Sequence, residues 1–339
     1  MLTTYINQIE QFESLSFEQM QEAASLVFME TTPEEQIERF LIALSEKGET
    51  AAELAGLALI MREHAVSMDV PEGLYMDNCG TGGDGLQTFN ISTTSAFVLA
   101  GAGIKVAKHG NRKISSQTGS SDVLEALGMG FIEHADTTAQ AINEVGIAFL
   151  HAPNFHPKLG RIGAIRRKIG KPTIFNFAGP LTNPVPLQTQ FVGISRPTFA
   201  VQYAEVLHLL GRKRAIVVSG AHRMDEANLA GENTFVMLDH GDLIPFKLKP
   251  EEFGLTPAPL QAIRGGNPDE NAEILKDVLK GIYSPYLQTV LLNAGIALFA
   301  YGKTTSIEAG IDLALQVIQS GAAYEKLDHY IKFTKKVGV

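Results

Sequence analysis

The sequence predicts an α/β protein in which a small all-helical domain precedes a large domain with a mostly parallel central sheet flanked by helices. Two patterns lead to this fold class. The first seventy residues carry repeated helix-start signals, and from Leu74 onward short apolar runs alternate with helical stretches. Strands that alternate with helices favour a parallel sheet covered on both faces. A length of 339 residues is enough for two such domains.

The helical domain is predicted from hydroxyl residues placed three positions before a Glu or Gln. Ser16, Thr32 and Thr50 have this capping-box spacing. Apolar residues follow the second and third of these starts at i, i+3, i+4 and i+7, which is the pattern of an amphipathic helix. Pro71-Glu72-Gly73 breaks the pattern. We therefore expect a helical domain at 1–71 and an α/β domain at 72–339.

The α/β domain is predicted from short apolar runs and from helix periodicity. The expected strands are 74–76, 104–107, 148–150 and 215–218, followed by a hairpin of 234–238 and 243–248. The expected helices are 93–100, 122–127, 137–145, 199–210 and 306–319, with a further start at Asn267-Pro268.

The composition excludes several classes of protein. Hydrophobic residues make up 45% of the chain and charged residues 19%, which excludes disorder. The net charge of −9 disfavours nucleic-acid and anionic-membrane binding. Apolar windows fall short of the ~18 residues of a membrane span, and the start lacks a secretory signal. Because Cys79 stands alone, no internal disulfide forms, and we expect a cytoplasmic protein.

A glycine-rich loop is the strongest chemical signal. Residues 77–85 read DNCGTGGDG, directly after a predicted strand. Glycine lets backbone N–H groups approach an anion, and Ser92 or Thr93 would cap the next helix and turn its positive end toward the loop. This predicts a phosphate site that is neither a Walker loop nor a dinucleotide turn. The alternative is a tight turn without a ligand.

Two further segments suit the same anion. Residues 108–116 read KHGNRKISS at the carboxyl end of a strand, where ligands bind in open α/β sheets. Their cations and hydroxyls would neutralise and bind phosphate oxygens, although a solvated basic loop is the alternative. Gly119-Ser120-Ser121-Asp122 starts another helix nearby. We expect all three segments to meet at one rim.

An acidic pair and an aromatic segment complete the candidate residues. Asp225-Glu226 follows a predicted strand and suits Mg²⁺, with the Ser92 hydroxyl as an additional ligand, although a solvated pair of acids is the alternative. An arginine beside the segment at 173–184 would bind a planar carboxylate. Spacing alone does not distinguish Arg166 from Arg161 or Arg167.

These motifs together resemble the anthranilate phosphoribosyltransferase family. The resemblance is carried in order by CGTGGDGLQTFN at 79–90, NIST at 90–93, KHGNR at 108–112, GSSDVLEALG at 119–128, IFNFAGPLTNP at 174–184 and the pair Asp225-Glu226. It implies the fold shared by nucleoside phosphorylases and these phosphoribosyltransferases, with part of 165–190 joining the helical domain. The chain departs from the family pattern at Gln117, Ser121, His151 and 222–224, and none of these departures removes an expected ligand.

The resemblance also implies a reaction, partners and site residues. Anthranilate and phosphoribosyl pyrophosphate would give N-(5-phosphoribosyl)anthranilate and pyrophosphate in L-tryptophan biosynthesis, with Mg²⁺ as cofactor, in a homodimer joined through the helical domain. Anthranilate would meet Gly80, Asn111 and Arg166, with His109 and Pro180 nearby, and Mg²⁺ would meet Ser92, Asp225 and Glu226. Phosphoribosyl pyrophosphate would bind Gly80, Gly83, Asp84, Thr88, Asn90, Ile91, Ser92, Thr93, Lys108, His109, Gly110, Asn111, Arg112, Lys113, Ile114, Ser115, Ser116 and Ser120.

No residue pattern demands an enzyme nucleophile or a general base, so we expect a direct displacement at the sugar. Two alternatives remain. A pyrimidine nucleoside phosphorylase of the same fold would use free phosphate and a Lys-His-Ser-Thr-Gly-Gly type of first loop, which the sequence at 78–83 lacks. A non-catalytic nucleic-acid-binding relative would be basic around its cleft.

Overall fold

The computed structural model describes residues 1–110, 118–130, 132 and 134–337. Strands and helices alternate through most of it, after four helices at the amino end. The strands are β1 (Tyr75–Asp77), β2 (Lys105–Gly110), β3 (Ile147–His151), β4 (Thr189–Gly193), β5 (Arg214–Ser219), β6 (Asn233–Asp239) and β7 (Asp242–Leu248). The helices are α1 (Leu2–Glu10), α2 (Phe17–Phe28), α3 (Glu34–Lys47), α4 (Ala51–Glu63), α5 (Ile91–Gly101), α6 (Ser120–Ala126), α7 (Ala135–Glu144), α8 (Ala152–Phe155), α9 (Leu159–Ile169), α10 (Phe175–Ala178), α11 (Ala200–Leu209), α12 (Pro268–Leu279), α13 (Pro285–Tyr301), α14 (Ile307–Gln319) and α15 (Ala322–Val337).

The strands form one seven-stranded sheet in the order β3-β2-β1-β4-β5-β6-β7. Pairs from β3 to β5 are parallel, and β5, β6 and β7 pair antiparallel. The chain moves outward from β1 through β2 to β3 and then returns to place β4 on the other side of β1. This reversal of direction is the position at which open α/β sheets bind ligands, beyond the carboxyl ends of the strands. The predicted fold class is confirmed.

The sheet differs from the sequence prediction in two places. β2 runs to Gly110, so Lys108 and His109 belong to the strand and not to the loop after it. β4 was not predicted, because its five residues include the buried polar Thr189 and Gln190 and lack an apolar run. The late hairpin is confirmed as β6 and β7.

Helix starts follow the capping prediction in part. Ser16 and Thr50 each accept a bond from the backbone N–H three residues on and complete a capping box. The prediction for Thr32 is wrong, because its hydroxyl donates to the Leu26 carbonyl at 2.6 Å and Pro33 precedes the first helical residue. The prediction that Ser92 or Thr93 caps α5 is also wrong, since the helix begins at Ile91 after Asn90.

Two apolar cores lie against the sheet. One contains α5 and α13 to α15, with Phe191 of β4 among its members. The other contains α1 to α4 and α11, with Val192 of β4 among its members. Because neighbouring strand residues point to opposite faces, the helical bundle and the carboxyl-terminal helices cover different faces of the sheet. Among the described residues, no helix has both the length and the apolar character needed to cross a lipid bilayer.

A buried ion pair ties the helical bundle together. Glu53 of α4 is fully buried and accepts bonds from the Leu15 and Thr50 backbone N–H groups, both at 2.9 Å. The ammonium group of Lys47, at the end of α3, lies 2.9 Å from Oε2, the oxygen that also accepts from Thr50. The carboxylate therefore connects α4 with the end of α3 and with the segment before α2.

Replacing Glu53 should destabilise the bundle, because two backbone N–H groups would be left buried without their acceptor and the buried Lys47 would lose its counter-charge. We expect Glu53→Leu to lower the free energy of unfolding by about 3 kcal/mol or more, measured by urea denaturation. Glu10→Leu is the control, since the Glu10–Arg39 pair is on the surface and should contribute little. Equal stability of the two variants would contradict this role of Glu53.

Candidate functional site

A cavity of about 270 Å³ opens at the carboxyl ends of the central strands. It brings together the glycine loop, the end of β2, the start of α6 and the acidic pair, as the sequence predicts for converging segments. The predicted residues that line it are Gly80, Asn90, Ser92, Thr93, Lys108, His109, Gly110, Ser120, Asp225 and Glu226. The other lining residues include Cys79, Thr81, Gly82, Thr118, Gly119, Ala152, Gly179 and Pro180.

Asp77 fixes the base of the glycine loop. It ends β1, is fully buried, and accepts bonds from the backbone N–H groups of Cys79 at 3.0 Å and His109 at 3.3 Å. The Asn183 side-chain amide donates to its other oxygen at 2.9 Å. Burial raises the pKa of Asp77, while the charge of Lys108 and these donors oppose that rise. One carboxylate thus joins the ends of β1 and β2 to the segment before β4.

The acidic pair reaches the cavity because three glycines leave room for its backbone and side chain. A Cβ at Gly193, the last residue of β4, would lie 1.4 Å from the Asp225 carbonyl oxygen. A Cβ at Gly220 would lie 2.1 Å from the Glu226 carbonyl oxygen, and one at Gly80 would lie 2.5 Å from Asp225 Oδ2. No larger side chain fits at these positions without displacing the pair.

Both acidic side chains are already bonded to the rim opposite them. Asp225 Oδ2 accepts from the Gly82 N–H at 2.6 Å, and Glu226 Oε1 accepts from the Ser92 N–H at 2.9 Å. Burial and the charge of Glu226 raise the pKa of Asp225 well above its ordinary value. Burial raises the pKa of Glu226 to about 7, against the opposing charge of Lys108. The pair therefore resists carrying two negative charges, and a nearby cation would stabilise its charged form.

Lys108 is a buried cation between the two sets of carboxylates. Only 2% of its surface is exposed, and its ammonium group donates to Ser92 Oγ at 3.2 Å. Its charge acts on both Asp77 and Glu226. It is therefore positioned to neutralise negative charge in the cavity without leaving the strand.

Two buried histidines lie side by side, and one of them, His109, lines the cavity. The Gly179 carbonyl lies 3.0 Å from His109 Nδ1, and because a carbonyl only accepts, Nδ1 carries the proton. The His109 and His156 rings meet edge to face at 5.3 Å. Burial lowers the pKa of each to about 4, so both are neutral at neutral pH. His109 Nε2 has no hydrogen-bond partner among the described residues and is closed off from solvent, so it is a buried acceptor next to the cavity.

Not every predicted residue lies at this cavity. Arg166 of α9 is not among the described residues that line it; its guanidinium donates to Asn176 Oδ1 at 3.1 Å and lies over the Phe175 ring. Gly83, Asp84, Thr88 and Ile91 also do not line it, and the Ile91 side chain packs in the sheet core. The predicted residues Asn111, Arg112, Lys113, Ile114, Ser115 and Ser116 lie outside the described residues.

Several residues of the site were missed by sequence reasoning. Asp77, Gly193 and Gly220 support the loops without being their ligands. A glycine at a strand end was an available signal, since glycine inside a strand often marks a close backbone approach. Asp77 had no comparable signal, because its role depends on contacts with residues far along the chain.

The amino-acid sequence matches two family models. Residues 3–65 match the Glycosyl transferase family, helical bundle domain, and residues 72–324 match the Glycosyl transferase family, a/b domain. An anthranilate phosphoribosyltransferase from Exiguobacterium sibiricum is 58% identical over 93% of both chains. The chain belongs to the anthranilate phosphoribosyltransferase family. A family member from Listeria monocytogenes is 51% identical over 96% of both chains.

Solved structures of the family have the same fold. The enzyme from Thermus thermophilus superposes with a TM-score of 0.92 at 39% identity, covering 97% of this chain and 99% of that one. The Saccharomyces cerevisiae enzyme in complex with PRPP and Mg gives a TM-score of 0.90 at 28% identity, and covers 99% of this chain and 98% of that one. Its complex with 4-fluoroanthranilate gives a TM-score of 0.86 at 28% identity and the same coverage.

The two histidines should make the protein sensitive to acid. Between pH 6.5 and about 4 the unfolded chain binds protons that the native His109 and His156 exclude, so stability falls as the pH is lowered through this window. We expect His156→Leu to remove up to about 3 kcal/mol of this loss, measured as the difference in unfolding free energy between pH 7 and pH 4. The exposed His329→Leu is the control. A wild-type pH dependence in His156→Leu would contradict the assignment.

Proposed function

We propose that this chain transfers the 5-phosphoribosyl group of phosphoribosyl pyrophosphate to the amine of anthranilate, giving N-(5-phosphoribosyl)anthranilate and pyrophosphate in tryptophan biosynthesis. The observation that carries this proposal is the convergence of the Gly80 loop, Lys108, the α6 start and Asp225-Glu226 at one cavity. Backbone donors, a buried cation and paired carboxylates are the groups that a diphosphorylated sugar with a divalent cation requires. Membership of the family supports the same reaction.

We propose that Ser92, Asp225 and Glu226 hold Mg²⁺. All three supply oxygen, which this ion prefers, and the charge of Glu226 helps to raise the proton affinity of Asp225. Among the described residues, no cluster of three or more His, Cys, Asp or Glu side chains has the geometry of a metal site. This agrees with an ion that takes its remaining ligands from substrate phosphates and water. When bound, it would neutralise the charge that develops on the departing pyrophosphate.

We propose that the chain stabilises the departing pyrophosphate with fixed donors. Lys108 is held in the strand and bonded to Ser92, so its charge needs no rearrangement during the reaction. The glycine loop and the first turns of α5 and α6 supply N–H groups from three directions. The proposed binding residues are Gly80, Gly83, Asp84, Thr88, Asn90, Ile91, Ser92, Thr93, Lys108, His109, Gly110 and Ser120, with Asn111, Arg112, Lys113, Ile114, Ser115 and Ser116 outside the described residues.

We propose that anthranilate binds between Gly80, Asn111 and Arg166, beside His109 and Pro180. An arylamine is uncharged at neutral pH, so it needs orientation more than deprotonation before it attacks the sugar. The neutral His109 ring avoids placing a positive charge beside the sugar carbon. We assign no enzyme nucleophile and no general base.

The reaction is tested by loss of anthranilate fluorescence with phosphoribosyl pyrophosphate and Mg²⁺. We expect turnover by the wild type, and a decrease of roughly 100-fold or more in kcat/KM for Asp225→Asn and Glu226→Gln, with a higher Mg²⁺ requirement. Glu232→Gln removes an exposed acid that pairs with Lys247 on the surface, and should behave as the wild type. Cleavage of thymidine by inorganic phosphate tests the nucleoside phosphorylase alternative, and salt-dependent DNA binding tests the nucleic-acid-binding alternative. Activity only in one of those tests would overturn the proposal.

We propose that 1–71 and part of 165–190 form the helical domain and that the remainder of 72–339 forms the α/β domain. Its support is the packing of Ile165, Ile174 and Phe175 in the same core as α1 to α4. We also propose that two chains associate through the helical domain. That domain exposes the large apolar side chains Met1, Phe12, Met29 and Val66.

Association should appear in the mass measured by light scattering after size exclusion. We expect twice the 36.6 kDa of one chain. Phe12→Glu, in the helical domain, should shift the mass toward that of one chain, because a buried charge without a partner opposes association. Ile244→Glu, on the edge strand β7, is the control and should leave the mass unchanged. A single-chain mass for the wild type at micromolar concentration would contradict the dimer.

A further inference from the structure

Arg212 is a buried cation that none of the proposed roles uses. It lies between α11 and β5, and only 2% of its surface is exposed. Its Nε donates to Gln190 Oε1 at 3.2 Å and its Nη1 donates to the Leu210 carbonyl at 3.1 Å. Burial lowers its pKa to about 9, so it stays charged at neutral pH. A charge in this core has a high desolvation cost, so its position needs a reason.

Its partner Gln190 connects it to the cavity. Gln190 is fully buried on β4, in register with Asp77 of β1, and its Nε2 donates to the Pro180 carbonyl at 2.6 Å. The guanidinium only donates and the carbonyl only accepts, so the two contacts fix the amide in one orientation, with its oxygen toward Arg212. Arg212 therefore prevents a rotation that would turn the amide oxygen toward Pro180.

Gly179 and Pro180 form part of the cavity wall. The Gly179 carbonyl accepts the hydrogen bond from His109 Nδ1. A displacement of 179–180 would therefore move part of the wall and also release the His109 ring from the tautomer that leaves Nε2 as an acceptor. The contacts run in sequence from Arg212 through Gln190 and Pro180 to His109.

We propose that Arg212 and Gln190 are positioning residues that hold the Gly179–Pro180 wall and the His109 ring in the arrangement that receives the aromatic acid. The proposal rests on the proposed function, because it assigns this wall to the anthranilate half of the site. The phosphate half is held mainly by other contacts, those of the glycine loop, Lys108 and the acidic pair. KM for anthranilate and KM for phosphoribosyl pyrophosphate should therefore respond differently when Gln190 or Arg212 is replaced.

The discriminating variants keep the volume of the core. Gln190→Glu retains the acceptor for Arg212 but places a carboxylate oxygen against the Pro180 carbonyl in place of the donor. Arg212→Lys retains the positive charge but removes the planar pair of donors that orients the amide. Lys326→Met is the control, because Lys326 donates to the Val145 carbonyl in the same way but neither residue lines the cavity.

The experiment measures KM for each substrate and kcat, after circular dichroism has shown that each variant is folded. We expect Gln190→Glu to raise KM for anthranilate about tenfold and Arg212→Lys to raise it about threefold, with KM for phosphoribosyl pyrophosphate within about twofold of the wild type. The double variant should be no worse than Gln190→Glu, since both changes act on one contact sequence. Lys326→Met should leave both KM values unchanged.

An increase of both KM values in equal proportion, or an anthranilate KM within about twofold of the wild type in folded Gln190→Glu, would overturn the positioning role. If Gln190→Glu fails to fold, Arg212→Lys decides by the same comparison of the two KM values. Wild-type turnover of anthranilate tests the proposed function itself. Absence of that turnover would contradict the proposed function, and it is therefore distinct from a result that contradicts the positioning role of Gln190 and Arg212.

Discussion

The buried carboxylate of Asp77 is the interaction on which the rest of the site depends. It ends β1 at the place where the sheet reverses direction, and it accepts donors from the glycine loop, from β2 and from Asn183. The Asn183 amide also donates to the Ala107 carbonyl at 2.8 Å, and β1 pairs with β2. The buried carboxylate acts together with these contacts in fixing the relative positions of the three segments. Its charge is supported at a distance by Lys108, so the same cation serves the scaffold and the cavity.

The position of the acidic pair depends on glycines, whose lack of a side chain leaves room for the backbone of the pair. Asp225 and Glu226 lie deep in the protein, yet part of each side chain is accessible from the cavity. They reach that position only because Gly193, which ends β4, and Gly220, which follows β5, have no side chains. Placing two carboxylates together raises the free energy of the folded state. Hydrogen bonds from the N–H groups of Gly82 and Ser92 offset part of this increase. The position of the two charges at this edge of the sheet therefore depends on the space that the glycines leave for the backbone.

The sequence predicted those features whose signals are local. Glycine spacing and apolar runs placed the loop at 80–85 after β1, and the rule that parallel strands share a carboxyl edge predicted the convergence of three segments. β4 was missed because Gln190 and Thr189 resemble surface residues unless their buried partners are known. Helix α13 gave no periodic signal, because it is packed between α5 and α14 and is apolar on nearly all sides. Arg166 was a reasonable carboxylate ligand from its chemistry, but the sequence contained nothing that measures its distance from the cavity.

The two proposed halves of the site use different kinds of residue, and this explains why one was easier to find from the sequence. Phosphate binding needs backbone N–H groups, hydroxyls and cations, and these residue types mark the sequence directly. The wall that would face an aromatic ring is made of Gly179 and Pro180, which have no distinctive functional group of their own. Its geometry is set from behind, by Gln190 and Arg212 on one side and by Asn183 and Asp77 on the other. Each of these contacts joins elements that meet only in the folded chain. The proposed specificity for the aromatic partner therefore depends on tertiary structure more than the proposed phosphate binding does.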